Sequence, residues 1–176
     1  MINALLKNYA ALLARVDAHI KQVETKYSNE IVCKKGCDSC CRFLNLFPVE
    51  AFALAAALDK MNTSREVVRA ALEKGTKDCP LLIHRQCVLY GARPIICRTH
   101  GYPLYFKKKG EALVDFCPKN FKGVTSFPKE CLLDLDQLNT LLVAINNQFL
   151  ESVKPETFTD RIPMSRALLL LDESLL

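Results

Sequence analysis

Four of the nine cysteines in this 176-residue chain fall within nine positions, at Cys33, Cys37, Cys40 and Cys41. Cysteines that fill a core occur singly on apolar faces, as small hydrophobes. These four stand among Lys34, Lys35, Gly36, Asp38, Ser39 and Arg42, none of which is a core residue. A C-x2-C turn folds back so that two thiolates reach one soft metal while backbone N–H groups face sulfur. The spacing therefore predicts a loop organised by ligand bonds and not by a hydrophobic stripe. Cys40 and Cys41 are adjacent, so their side chains tend to diverge, which leaves one of them to bridge or to serve a second metal.

A second group, Cys79, Cys87, Cys97 and Cys117, lies in a stretch punctuated by Pro80, Pro94, Pro103 and Pro118. From Thr76 to Phe127 the sequence reads as irregular. Structureless stretches of this length are uncommon in compact domains unless ligand bonds replace the missing core. All eight cysteines are thus candidate metal ligands, with Cys37, Cys40 and Cys41 combining with members of the second group. Cys131, beside Leu132 and Leu133, reads instead as a buried residue at the start of a long helix. Eight ligands and one core cysteine account for the odd total without a disulfide.

The N-terminus carries no secretory pattern, because Lys7, Arg15, Asp17 and Lys21 interrupt its apolar residues. No window approaches the roughly 18 apolar residues of a membrane span. The expectation is a cytoplasmic protein with no membrane partner, a compartment where disulfides are rare. Of 24 Lys and Arg, 17 lie between Cys33 and Cys131, against 9 of the 19 Asp and Glu, so the net charge of +5 is concentrated there. Apart from Lys107–Lys109 these cations are scattered, which argues against a nucleic-acid stripe. They suit thiolates better. Eight thiolates around two zinc ions would bring the net charge from +5 to about +1.

Helices are expected on both sides of the cysteines. Leu5, Leu6, Tyr9, Leu12, Val16, Ile20 and Val23 recur at three- and four-residue spacing and predict a helix over 2–28. Pro48 opens a second helix running to about Met61. Thr63-Ser64-Arg65-Glu66 has the form of a capping box for a third, which Gly75 ends. Pro94 starts a helical turn through Arg98, and the residues flanking Lys107–Gly110 suggest a small hairpin. Leu132, Leu135, Leu138, Leu142, Ile145 and Phe149 predict a long helix after Pro128, and a short one follows Pro163. The expected architecture is a single, mainly α domain over 1–176. Its helices, over 2–28 and 129–172, flank an irregular metal-binding segment over about 33–120, with at most a small β-hairpin.

The motif Cys33-x3-Cys37-x2-Cys40-Cys41, then Glu50, then Cys79-x7-Cys87-x2-Tyr90-x2-Arg93-Pro94-x2-Cys97-Arg98, resembles the CxxCxxCC family of zinc- or iron-chelating cysteine-cluster domains. The resemblance covers about residues 33–120, and the first spacing departs from the family's x2. It implies a site that holds zinc or an iron–sulfur cluster and leaves the biochemical role open. Cys33-x3-Cys37-x2-Cys40 is also similar to the motif by which radical S-adenosylmethionine enzymes hold a four-iron cluster. Flagellin lysine methylases carry a related cluster. Against an enzyme of that kind stand the helical pattern without strand–helix alternation and Ser39 where an aromatic is usual.

Arg93 and Arg98 are expected to donate to cluster sulfurs; for Arg98 the alternative is an ion pair with an acid such as Glu50. Glu50 is most simply a helix-start charge, with metal ligation as the alternative. His100 reads as a solvated loop residue, with ligation again the alternative, and His19 and His84 as surface residues. No Ser–His–Asp set, phosphate loop or HExxH motif is present. Three functions fit: a redox or metal-related protein with an iron–sulfur cluster or zinc, a structural zinc protein that mediates interactions, and a metal-cluster enzyme of methyl-transfer or radical type.

Overall fold

Apolar residues three and four apart build the frame, and they do so where the chain carries few cysteines. The computed structural model describes residues 2–33, 36–61, 78–153, 160–168 and 170. Helices α1 (Ile2–Leu5) and α2 (Lys7–Lys26) form the N-terminal arm, and α2 buries Tyr9, Leu12, Val16, Ile20 and Val23 as one stripe. Helix α3 (Pro48–Asp59) is apolar nearly all round and buries Val49, Ala51, Phe52, Leu54, Ala55 and Leu58, as suits a helix inside the core. The expected third helix over Thr63–Gly75 lies outside the described residues.

Helix α4 (Ile95–Thr99) is the turn expected after Pro94. The long helix α5 (Leu135–Val153) buries Leu138, Leu142, Asn146 and Phe149. Its Asn146 Oδ1 accepts the Val49 N–H at 3.2 Å, so α5 caps the N-terminus of α3, and Phe149 packs on Phe52 with ring centroids 5.2 Å apart. Helix α6 (Met164–Ala167) completes the set and buries Met164 and Ala167.

The architecture is mixed α/β, which corrects the mainly α expectation. Seven strands form three small sheets among the described residues. Strand β1 (Asn45–Leu46) pairs antiparallel with β7 (Ile162–Pro163). Strands β2 (Leu82–Ile83) and β3 (Gln86–Cys87) make a tight hairpin. Strand β4 (Leu104–Lys108) lies between β5 (Glu111–Asp115), antiparallel to it, and β6 (Leu133–Asp134), parallel to it. The β4–β5 hairpin is the one expected around Lys107–Gly110, and its turn residues Lys109 and Gly110 both have positive φ, as a two-residue hairpin turn requires. The other strands are two residues long, too short for a period of two to show, and β1 and β6 find partners far away in the chain.

Pairing with β4 also shortens the long helix. Leu133 donates its N–H to the Pro103 carbonyl at 2.9 Å, which holds that stretch extended. The chain makes a 3-10 turn over Lys129–Cys131, and α5 starts only at Leu135. Asp134 caps it by accepting the Gln137 N–H at 2.9 Å. Cys131 therefore sits in the turn and not in the helix, but it is buried, as its neighbours suggested. His19, expected at the surface, is half-buried, and its Nε2 is enclosed without a hydrogen-bond partner among the described residues. None of the described helices is long and apolar enough to cross a membrane.

Below the cysteines lies an aromatic cluster of Tyr27, Phe116, Phe121 and Phe127, with edge-on contacts at centroid distances of 5.1–5.7 Å. Phe121 donates its N–H to the Glu30 carbonyl at 2.7 Å. This cluster anchors the Cys117 segment to the end of α2.

Candidate metal centre

Three short local structures present the cysteines. The first is the turn Asp38–Cys41, closed by the Cys41 N–H on the Asp38 carbonyl at 2.9 Å. Arg85 grips the Asp38 carboxylate at both oxygens, 2.9 and 3.1 Å, and Lys119 donates to Ser39 Oγ at 2.8 Å. Arg42 forms an antiparallel bridge with Asp78, and the two side chains also pair at 3.5 Å. In an antiparallel register the residues flanking such a bridge face each other, so Cys41 stands opposite Cys79.

The second is the β2–β3 hairpin. The Cys79 carbonyl accepts the Leu82 N–H at 3.0 Å, and Cys87 is registered opposite Leu82. His84 and Arg85 make the tight turn, both with positive φ. The third is α4, which carries Cys97. Two charged residues place this helix. Glu50 Oε1 accepts the Ile95 N–H at 3.1 Å while Oε2 accepts the Phe47 N–H at 3.2 Å, so one buried carboxylate caps α4 and α3 together. Arg98 reaches both oxygens of Asp17 on α2 at 2.8 Å and the carbonyls of Arg93, at 2.7 Å, and Gly91.

These placements bring Cys37, Cys40, Cys41, Cys79, Cys87 and Cys97 to one cavity of about 270 Å³. Arg93 and His100 also line it, as does Met164, whose Sδ lies 3.6 Å from Cys79 Sγ. The Arg93 guanidinium stacks on the Tyr90 ring at 3.7 Å, with Nε on the Tyr90 carbonyl at 3.0 Å. Cys33 and Cys117 do not line this cavity and both lie beside Gly101. A side chain at Gly101 would meet Cys33 Sγ at 3.2 Å and Cys117 Cβ at 3.5 Å, and its φ of +100° also favours glycine. Arg98 and Glu50 do not line the cavity; their polar atoms are spent on Asp17 and on backbone groups.

Sequence reasoning missed Asn120 altogether. It is buried, its Oδ1 accepts the N–H groups of Val32 and Cys33 at 3.0 and 3.1 Å, and its Nδ2 donates to the Gly101 carbonyl at 2.8 Å. It pins three chain segments beside Cys33 and Cys117. A polar residue in a Pro-Lys-Asn-Phe turn carries no periodic signal, so only the fold marks it. Asp17, Asp38 and Ser39 were likewise unassigned partners.

Burial pushes the thiols up: Cys33, Cys41 and Cys79 to about 11 and Cys97 to about 12, with Cys40 and Cys87 also raised. Repulsion from neighbouring thiolates adds to this at all of these but Cys87, while Arg93 opposes it at Cys40, Cys87 and Cys97. A bound cation removes both penalties, because a coordinated thiol gives up its proton to the metal bond. Among the described residues no three His, Cys, Asp or Glu side chains converge tightly enough to hold an ion as they stand. The donors fit a soft metal by type, being sulfur from several chain segments, and closure onto an ion requires the side chains to turn inward.

Residues 32–118, just under half of the chain, match the CxxCxxCC family model, described as a putative zinc- or iron-chelating domain. Over those residues the segment is similar to that family's domain. No curated protein and no solved structure matches the chain.

Proposed function

We propose that this segment holds a metal through cysteine thiolates, as an iron–sulfur cluster or zinc, in a redox or metal-related role. The observation that carries the reading is the convergence of six cysteines from three separate local structures on one cavity, beside the Arg93 guanidinium. A cation held over an aromatic face, next to sulfur, offsets the negative charge of a thiolate-ligated centre. That favours an iron–sulfur cluster as the first reading. Structural zinc is the second, supported by the polar contacts of Arg85 with Asp38 and Lys119 with Ser39 between cysteine-bearing loops, which a closed four-thiolate site would staple further. All nine cysteines are free thiols, which suits a reducing compartment such as the cytoplasm.

Anaerobic purification followed by iron, zinc and acid-labile sulfide analysis tests this. Brown protein with iron and sulfide supports the cluster, and colourless protein with stoichiometric zinc supports the staple. Protein that binds neither metal, with eight thiols reacting freely under native conditions, sinks both readings.

A further inference from the structure

We propose that the eight ligand cysteines form two separate four-thiol sites, Cys33–Cys37–Cys40–Cys117 and Cys41–Cys79–Cys87–Cys97, which part company at the Cys40–Cys41 peptide. This rests on the thiolate reading above and deepens it.

The second site follows from the backbone. The Arg42–Asp78 bridge sets Cys41 opposite Cys79, the β2–β3 register brings Cys87 beside them, and α4 delivers Cys97 from the far wall of the cavity. The first site follows from two polar pins. Asn120 holds the Cys33 N–H through its side chain at 3.1 Å and the Cys117 carbonyl through its own N–H at 2.9 Å, so the two cysteines share one anchor beside Gly101. Lys119, two residues from Cys117, ties the same loop to Ser39, between Cys37 and Cys40.

Adjacent residues direct their side chains apart, so Cys40 and Cys41 cannot readily serve one tetrahedral centre together. They instead make the shared border of two. Arg93 is the cation at that border, since it lines the cavity together with Cys40 of one set and Cys41, Cys87 and Cys97 of the other. Four thiols that bind a divalent ion release four protons and leave a centre of charge −2. Two such centres side by side repel, and a guanidinium between them reduces the cost. A four-sulfur donor set selects tetrahedral zinc, cobalt or an iron–sulfur cluster.

The test is anaerobic titration of reduced, metal-free full-length protein with cobalt(II) and then zinc(II), read by thiolate-to-cobalt absorption and native mass spectrometry. Two equivalents are expected for the wild type, and one each for Cys97→Ser and Cys117→Ser. Cysteine alkylation of wild-type protein at one equivalent of metal needs no variant. Protection should appear in blocks, with Cys33, Cys37, Cys40 and Cys117 rising together, separately from the other four. One equivalent in the wild type overturns the two-site arrangement, as does protection of the six cavity cysteines as a single block with Cys33 and Cys117 left reactive. No bound metal at all overturns the thiolate reading itself.

Discussion

The helical frame and the cysteine segment are stabilised by different means. In the frame, α2, α3 and α5 share one apolar cluster, with Val23, Val49, Leu54 and Phe149 almost wholly enclosed. In the cysteine segment, short turns are linked by side chains reaching backbone or one another: Arg85 to Asp38, Lys119 to Ser39, Asn120 to Cys33 and Gly101. Of these, the Arg85–Asp38 ion pair is open to solvent, which screens it, so it adds little stability. The segment sends Leu81, Leu89, Ile95 and Phe121 into the same core, while the loops that carry its cysteines are linked to one another by these polar contacts. The difference teaches where metal matters: it is expected to hold the segment and leave the frame nearly untouched.

Metal removal should separate the two regions most strongly. Structural zinc contributes about 10 kcal/mol or more in small metal domains. A chelator is therefore expected to abolish hydrogen-exchange protection and bring rapid proteolysis around 78–118, while α2 and α5 keep their protection. Equal loss in both regions would break the comparison.

Metal-free protein should also lose stability as pH rises. The unfolded thiols ionise near 9, while buried Cys33, Cys41 and Cys79 resist to about 11, so their contribution is intact below 9 and is lost between about 9 and about 11. With metal bound the sign reverses, because protons compete for the thiolates and acidification destabilises. Denaturation midpoints across pH, with and without metal, read both trends.

Leu54→Ala addresses the frame alone. It should cost about 2–5 kcal/mol by chemical denaturation and leave metal stoichiometry unchanged. Glu50→Ala addresses the joint between the regions. It strips an acceptor from the Phe47 and Ile95 N–H groups, one on each side, and should cost about 2–3 kcal/mol. It should also weaken metal binding, because α4 carries Cys97; unchanged affinity would show that α4 needs no such anchor. Cys131→Ala is the smallest change. A buried cysteine in a turn, away from the other eight, should cost about 1 kcal/mol and leave metal content intact.

The legible parts of this molecule were those with local signals. The stripe of α2, Pro48 at the head of α3, the turn after Pro94 and the hairpin at Lys109–Gly110 each rest on residues within one turn of each other. The illegible parts rest on distant partners. Two-residue strands such as β1 and β6 exist only because Ile162 and Leu104 arrive beside them. Arg98 shows the same limit. Its position after Cys97 suggested a donor to sulfur, yet its guanidinium turns to Asp17, an acid that the sequence leaves on another helix.

The residue types and spacings by themselves determined that thiols dominate this protein's chemistry, that helices frame them, and that Cys131 stands apart as a core residue. Those are properties of composition and of short-range periodicity. Only the tertiary structure decided which cysteines are neighbours, that Asn120 and Glu50 set their positions, and that Arg93, and not Arg98, faces the sulfur. Such choices depend on which distant segments pack together, and nothing within one helical turn or one hairpin carries that information.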